Sequence, residues 1–165
     1  MFMGTYQHTL DTKNRLIIPA KFRNQLGESF VITRWMDHSL RAYTMQGWED
    51  FSTKINALPE TNAKARQFKR FVFGGATEVE FDKQGRIGIP QELKSYAGIE
   101  KELVTMGAMS KIEIWAKDIW EAPDNENRME SEDFAKALDA SRATVTEQME
   151  EDYARMKGEL KKRAM

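Results

Sequence analysis

The residues of this chain whose spacing could do chemistry are two aspartates and two arginines. Asp11 and Arg15 stand four apart in Leu10-Asp11-Thr12-Lys13-Asn14-Arg15-Leu16-Ile17-Ile18-Pro19. Seventy-one residues later Asp82 and Arg86 repeat that spacing in Phe81-Asp82-Lys83-Gln84-Gly85-Arg86-Ile87-Gly88-Ile89-Pro90. One carboxylate from each half of a duplicated chain is how the aspartic proteases build a dyad that shares one proton. Asp11-Thr12 begins in the same way as their motif, but Lys13 and Lys83 set a cation beside each carboxylate, which holds it ionised and prevents sharing. Metal chemistry has less to work with. The chain has no cysteine and only His8 and His38, so no zinc-type spacing exists. A hydroxyl nucleophile served by either histidine lacks a Gly-x-Ser-x-Gly frame, and His8 alternates with Tyr6 and Leu10 as a structural strand residue does. Gly74-Gly75 lacks the Gly-Lys-Ser/Thr of a phosphate loop. The reading is of a protein without enzymatic activity, cofactor or small-molecule substrate.

Nucleic-acid binding fits these residues better. Each turn displays a lysine and an arginine, Lys13 with Arg15 and Lys83 with Arg86. Arginine suits bidentate contact with guanine O6 and N7, and lysine suits phosphate. Asp11 and Asp82 would fix their turns through backbone N–H groups, while Asn14 and Gly85 tolerate the positive φ that such a turn needs. The competing reading makes Asp11–Arg15 and Asp82–Arg86 local ion pairs that only stiffen the turns. Both readings can hold in part, with the aspartates fixing the turns and the arginines projecting outward.

The elements that must position these residues are also written twice. At one offset Phe2-Met3-Gly4 matches Phe73-Gly74-Gly75, Phe22 matches Leu93 and Gly27 matches Gly98. After one inserted residue Val31-Ile32-Thr33 matches Leu103-Val104-Thr105, and Trp48-Glu49 matches Trp120-Glu121. Each copy predicts a strand (Thr5–Leu10; Thr77–Phe81), the turn, and a second strand (Leu16–Ile18; Ile87–Ile89). A short helix then follows proline (Ala20–Leu26; Gln91–Ala97), before two further strands (Phe30–Arg34 and Leu40–Tyr43; Glu102–Met106 and Ile112–Trp115). Between the copies Trp48, Phe51, Ile55 and Leu58 recur at helical spacing up to Pro59. Thr61–Val72 predicts a second helix, with Lys64, Arg66, Lys69 and Arg70 on its solvated face. Beyond Pro123, a stripe from Phe134 to Leu160 predicts one long charged helix, acidic early and basic late.

Composition bounds the class. In 165 residues, 41% hydrophobic, there is room for one domain and an extension or for two small halves sharing a core. The absence of cysteine suits a reducing cytoplasm, and no apolar run approaches the roughly 20 residues that span a bilayer. The net charge of −1 hides an uneven split: residues 1–123 hold 17 Lys and Arg against 15 Asp and Glu, and residues 124–165 hold 8 against 11.

These residues resemble the MraZ family, regulators encoded at the head of bacterial division and cell-wall gene clusters. The resemblance rests on Met1-Phe2-Met3-Gly4, the two Asp-x-x-x-Arg turns, Lys83-Gln84-Gly85-Arg86, the segment from Phe71 to Ala76, and Ile114-Trp115. It covers residues 1–121. It implies an α+β chain of two tandem AbrB-like swapped-hairpin units forming one pseudo-twofold, β-barrel-like body with peripheral helices. The units would be 1–50 and 73–123, joined by a helical connection over 51–72 and followed by a helical extension over 124–165. It further implies a nucleoid-associated cytoplasmic regulator, acting as a repressor. Its partners would be double-stranded DNA at repeats near its own promoter and other copies of itself in a ring. The alternative is a structural ring or adaptor whose turns join subunits. In the first turn Asn14 stands where the family usually has glycine, and Trp35-Met36-Asp37-His38 maps onto no family motif.

Overall fold

The computed structural model of the chain describes residues 1–122; the helix expected over 124–165 lies outside them. Among the described residues eight strands and five α-helices fall into two matching series. The first copy runs β1 (Thr5–Thr9), β2 (Arg15–Ile17), α1 (Ala20–Leu26), β3 (Ser29–Arg34) and β4 (Leu40–Thr44). The second runs β5 (Thr77–Glu80), β6 (Arg86–Gly88), α4 (Gln91–Ala97), β7 (Glu102–Ala108) and β8 (Lys111–Ala116). Helices α2 (Met45–Asn56) and α3 (Ala63–Gly75) lie between the copies, and α5 (Lys117–Trp120) closes the second.

All pairings are antiparallel, and they interleave the copies. The main sheet has the order β1-β7-β8-β4-β3-β5, and β2 pairs with β6 in a separate two-stranded ribbon. The first strand of each copy therefore pairs with the third strand of the other. Exchanging the copies turns the strand order into its own reverse, which places a pseudo-twofold between β4 and β8 and again between β2 and β6. The barrel-like closure that the family resemblance implies is not found. Among the described residues the main sheet is open, with β1 and β5 at its edges.

The core shows the same duplication. Leu16 and Ile87, Ile18 and Ile89, Phe22 and Leu93, and Leu40 and Ile112 are all buried in one cluster. Phe22 is fully enclosed, with Phe2 and Tyr6 packed edge-on at 5.8 and 5.1 Å between ring centroids. Strand β3 is buried on both faces, because α3 covers the side that the core does not. Thr33 Oγ1 there donates to the Val72 carbonyl at 2.5 Å. An aromatic group of buried Tyr43 with half-buried Trp35, Trp48, Phe51 and Phe68 fills the space between α2, α3 and the sheet.

Two expectations change. Lys69 does not lie on a solvated face. Only 7% of it is exposed, and its Nζ reaches Glu60 Oε1 at 2.6 Å and the Asn56 carbonyl at 3.1 Å. The long stem crosses the gap between helices and satisfies a carbonyl left free at the end of α2. The match of Phe73-Gly74-Gly75 to Phe2-Met3-Gly4 holds in sequence but not in conformation. The former is the last turn of α3, with the side chain of Arg34 laid against Gly75; in the latter Phe2 bridges to Met109 and Gly4 takes a positive φ.

Candidate functional site

The two turns are built alike, bond for bond. In the first, the Asp11 amide donates to the Arg15 carbonyl at 2.8 Å and the Asn14 amide to the Asp11 carbonyl at 3.0 Å. In the second, Asp82 and Arg86, then Gly85 and Asp82, make the same bonds at 2.9 and 3.0 Å. One oxygen of each aspartate holds the loop. Asp11 Oδ1 accepts from the amides of Lys13 and Arg15, and Asp82 Oδ1 from those of Gln84 and Arg86, all at 2.9 Å. Asn14 and Gly85 occupy the left-handed corner at φ 59° and 76°.

The other oxygen holds the arginine. Arg15 Nε donates to Asp11 Oδ2 at 3.1 Å, and Arg86 Nε to Asp82 Oδ2 at 2.7 Å. The copies then meet: Arg15 Nη1 lies 4.0 Å from Asp82 Oδ2, and Arg86 Nη1 lies 4.0 Å from Asp11 Oδ2. The β2–β6 ribbon brings this about. Its register centres on Leu16 opposite Ile87, both facing the core, so Arg15 and Arg86 fall on the outer face as diagonal neighbours. The result is a neutral quartet of two carboxylates and two guanidiniums. The arginine side chains are 30% and 24% exposed, so they neither project freely nor lie sealed.

The electrostatics follow. Asp11 is held below the usual carboxylate range, first by the Arg15 amide, against a smaller desolvation effect, and then by Lys13 N–H and the Arg15 guanidinium. Asp82 is lowered in the same way, first by the Arg86 amide. The turns therefore bring two carboxylates from opposite copies close together without making a proton-sharing dyad. Backbone amides and arginines hold both ionised, rather than the neighbouring lysines. Lys13 and Lys83 are exposed at the turns and have no ion-pair partner among the described residues. His8 lines the same groove with Asp11, Arg15, Ile17, Gln84 and Arg86. Its Nε2 lies 2.7 Å from Thr105 Oγ1, and burial pushes its pKa down, partly offset by a backbone bond with Ile17.

Sequence reasoning missed two features. One is the cross-copy contact within the quartet, which depends on strand register. The other is Arg23, whose guanidinium lies against Gly85 of the opposite turn. A signal for it was available, since Arg23 and Lys94 are both basic at the repeat offset. The unmapped loop Trp35–His38 belongs to the frame rather than the site. Asp37 and His38 both take a positive φ there, and Tyr96 donates from its hydroxyl to the Trp35 carbonyl at 2.5 Å.

Fold and site together define an interleaved two-repeat protein that displays paired Asp–Arg turns on one ribbon. The sequence model described as "MraZ protein, putative antitoxin-like" matches it twice, over residues 1–71 and 72–142. A protein of Leuconostoc citreum named "Transcriptional regulator MraZ" is 54% identical over 138 residues, 84% of this chain and 96% of its own. A protein of Oenococcus oeni with the same name is 59% identical over 121 residues, 73% of this chain and 85% of its own. One of Acetivibrio thermocellus, again so named, is 46% identical over 138 residues, covering 84% and 96%. The chain belongs to the MraZ family, a family of regulators and not of enzymes. Among the described residues no helix is long and apolar enough to cross a membrane.

Proposed function

We propose that this chain is a sequence-specific DNA-binding transcriptional regulator that acts as a repressor on the division and cell-wall gene cluster. It binds promoter-proximal repeats as a ring of identical subunits and is associated with the nucleoid in the cytoplasm. The observation that carries the reading is the placement of Arg15 and Arg86 side by side on the outer face of one ribbon, flanked by the exposed Lys13 and Lys83. The names of the relatives point the same way. In this reading residues 1–50 and 73–123 are the DNA-facing units, 51–72 is their helical connection, and 124–165 is an extension that does not set sequence preference. Arg15 and Arg86 read bases, Lys13 and Lys83 meet phosphates, and Asp11, Asn14, Asp82 and Gly85 shape the turns.

A second reading draws on the closed state of the arginines. Residues already paired with carboxylates could serve only to stiffen turns that join subunits. One experiment separates the two. Arg15→Ala and Arg86→Ala are titrated by fluorescence anisotropy against a duplex from upstream of the protein's own gene, beside circular dichroism and light scattering. A bidentate arginine–guanine contact is worth about 1–3 kcal/mol, so each substitution should weaken binding roughly 5- to 150-fold, with more where several subunits engage successive repeats. Helical signal and oligomer mass should stay as in the parent. Arginine variants that dissociate or unfold favour the adaptor, and folded variants with parental affinity reject the base-reading role.

A further inference from the structure

We propose that Asp11 and Asp82 are specificity-determining positioning residues, which cancel and orient Arg15 and Arg86 until a bidentate base edge replaces the contact between the copies. The inference rests on the reading that this face meets DNA. Its support is the division of labour within each carboxylate. Oδ1 is spent on two backbone amides at 2.9 Å in both turns, so one acceptor oxygen closes each turn. Oδ2 is spent on Nε of the following arginine, at 3.1 and 2.7 Å. Nothing in the turn requires that second contact, and it recurs in both copies. It also suits the ligand. Arginine has five N–H donors in a rigid fork, and clamping Nε restricts the plane while the terminal Nη groups keep only the looser 4.0 Å approach to the other copy's aspartate.

The charge balance carries the rest. With each arginine offset by an aspartate, the quartet adds no net charge to the ribbon face, and Lys13 and Lys83 stand exposed beside it. Random DNA offers phosphates, which attract unpaired cations regardless of sequence. Two free guanidiniums would add two positive charges for phosphates to meet and would strengthen binding to every sequence. Held in the quartet, each arginine gains little from an isolated phosphate, because the clamped aspartate offsets its charge and repels the phosphate anion, whereas a guanine edge is neutral. A guanine edge, which takes two donors at once, can replace the weak cross-copy contact while Nε remains clamped. The aspartates thus suppress the sequence-independent part of binding and leave the sequence-dependent part standing.

The test is the double substitution Asp11→Asn with Asp82→Asn. Asparagine retains one oxygen for the turn amides and puts an NH2 group where Oδ2 held the arginine. Affinity for the upstream duplex and for a random-sequence duplex of equal length is measured from low to moderate salt. For random DNA, tighter binding and a steeper salt dependence are expected. Two newly available phosphate contacts correspond to an increase of up to about 1.8 in the slope of log K against log salt. The ratio of upstream to random affinity should fall. A merely structural role would instead weaken binding to both duplexes, with no increase in slope. That outcome overturns the proposal, as does an unchanged slope with unchanged discrimination. If the double variant is not folded by circular dichroism, each single substitution, which leaves one pair intact, should show about half the slope change, and its absence there overturns the proposal equally. Failure of the underlying reading would show in the parent protein, which would not prefer the upstream duplex to the random one.

Discussion

Asn14 and Gly85 occupy the same corner of the two turns at positive φ, yet they respond differently to change. Asparagine enters the left-handed region with little strain, whereas alanine there is disfavoured by about 1 kcal/mol or somewhat more. Asn14→Gly should leave stability nearly unchanged, and Asn14→Ala should lower the melting temperature by roughly 3–5 °C. Gly85→Ala should cost more than Asn14→Ala, because its new methyl would also run into the Arg23 side chain. Thermal unfolding of the three variants under one condition checks the order. The aspartates predict an acid limit. Their folded-state pKa values are depressed, so the stabilisation is fully present above the ordinary carboxylate range and is lost as pH falls through the lowered folded values. Equilibrium unfolding below about pH 4 should therefore show a steep acid limb, flattened in the Asp11→Asn, Asp82→Asn variant. The sequence made these residue-scale features legible. The i,i+4 spacing of aspartate and arginine and the Asn/Gly corner are local chemistry, and the turns formed where the repeat placed them.

At the scale of elements, the short helices after proline formed over Ala20–Leu26 and Gln91–Ala97 as the sequence indicates. Proline just before the first turn, at the N-cap in both copies, and glycine after the last are signals that do not depend on tertiary context. Strand ends moved by a residue or two, with β7 running on to Ala108 because β8 pairs with it as far as Lys111. Helix α3 was less legible. Its hydrophobic stripe located it, but Lys69 looked solvated until the end of α2 supplied partners for its ammonium. The extended N-terminus gives the element-scale prediction. Phe2 pairs with Met109 through amide bonds of 2.8 and 3.0 Å, and a methyl on Gly107 would meet the backbone of Phe2 and Met3. Main chain cannot swing aside as a flexible side chain can, so Gly107→Ala should release this segment from the sheet. A loss of about 1–3 kcal/mol, the usual cost of overpacking, is expected in denaturant unfolding. Faster hydrogen exchange at Phe2 and Met109 would identify the cause.

For the described body as a whole, the interleaving has a direct consequence. Strand β1 pairs only with β7 and β5 only with β3, so neither copy by itself contains partners for its own first strand. The core draws matched residues from both copies, among them Leu16 with Ile87 and Phe22 with Leu93. A chain comprising residues 72–122 alone should therefore be unfolded as a monomer, or should fold only as a homodimer in which a second copy supplies the missing strands. Circular dichroism and light scattering over a range of concentrations check this. A stable folded monomer of that segment would contradict the pairing.

The sequence by itself determined the duplication, the order and type of the elements, the two Asp–Arg turns and the corner residues that close them. Each of these rests on contacts within a few residues or on a periodicity visible along the chain. The tertiary structure decided what lies across the pseudo-twofold: which copy each first strand joins, that the sheet stays open, and that the arginines are closed into a quartet. Arg15 and Asp82 are 67 positions apart, and their approach to 4.0 Å is set by the register of β2 on β6. A shift of one residue in that register would turn the arginine of the displaced strand toward the core. Strand register comes from the fit of Leu16 and Ile87 into a core assembled from both halves, which no stretch of sequence contains alone.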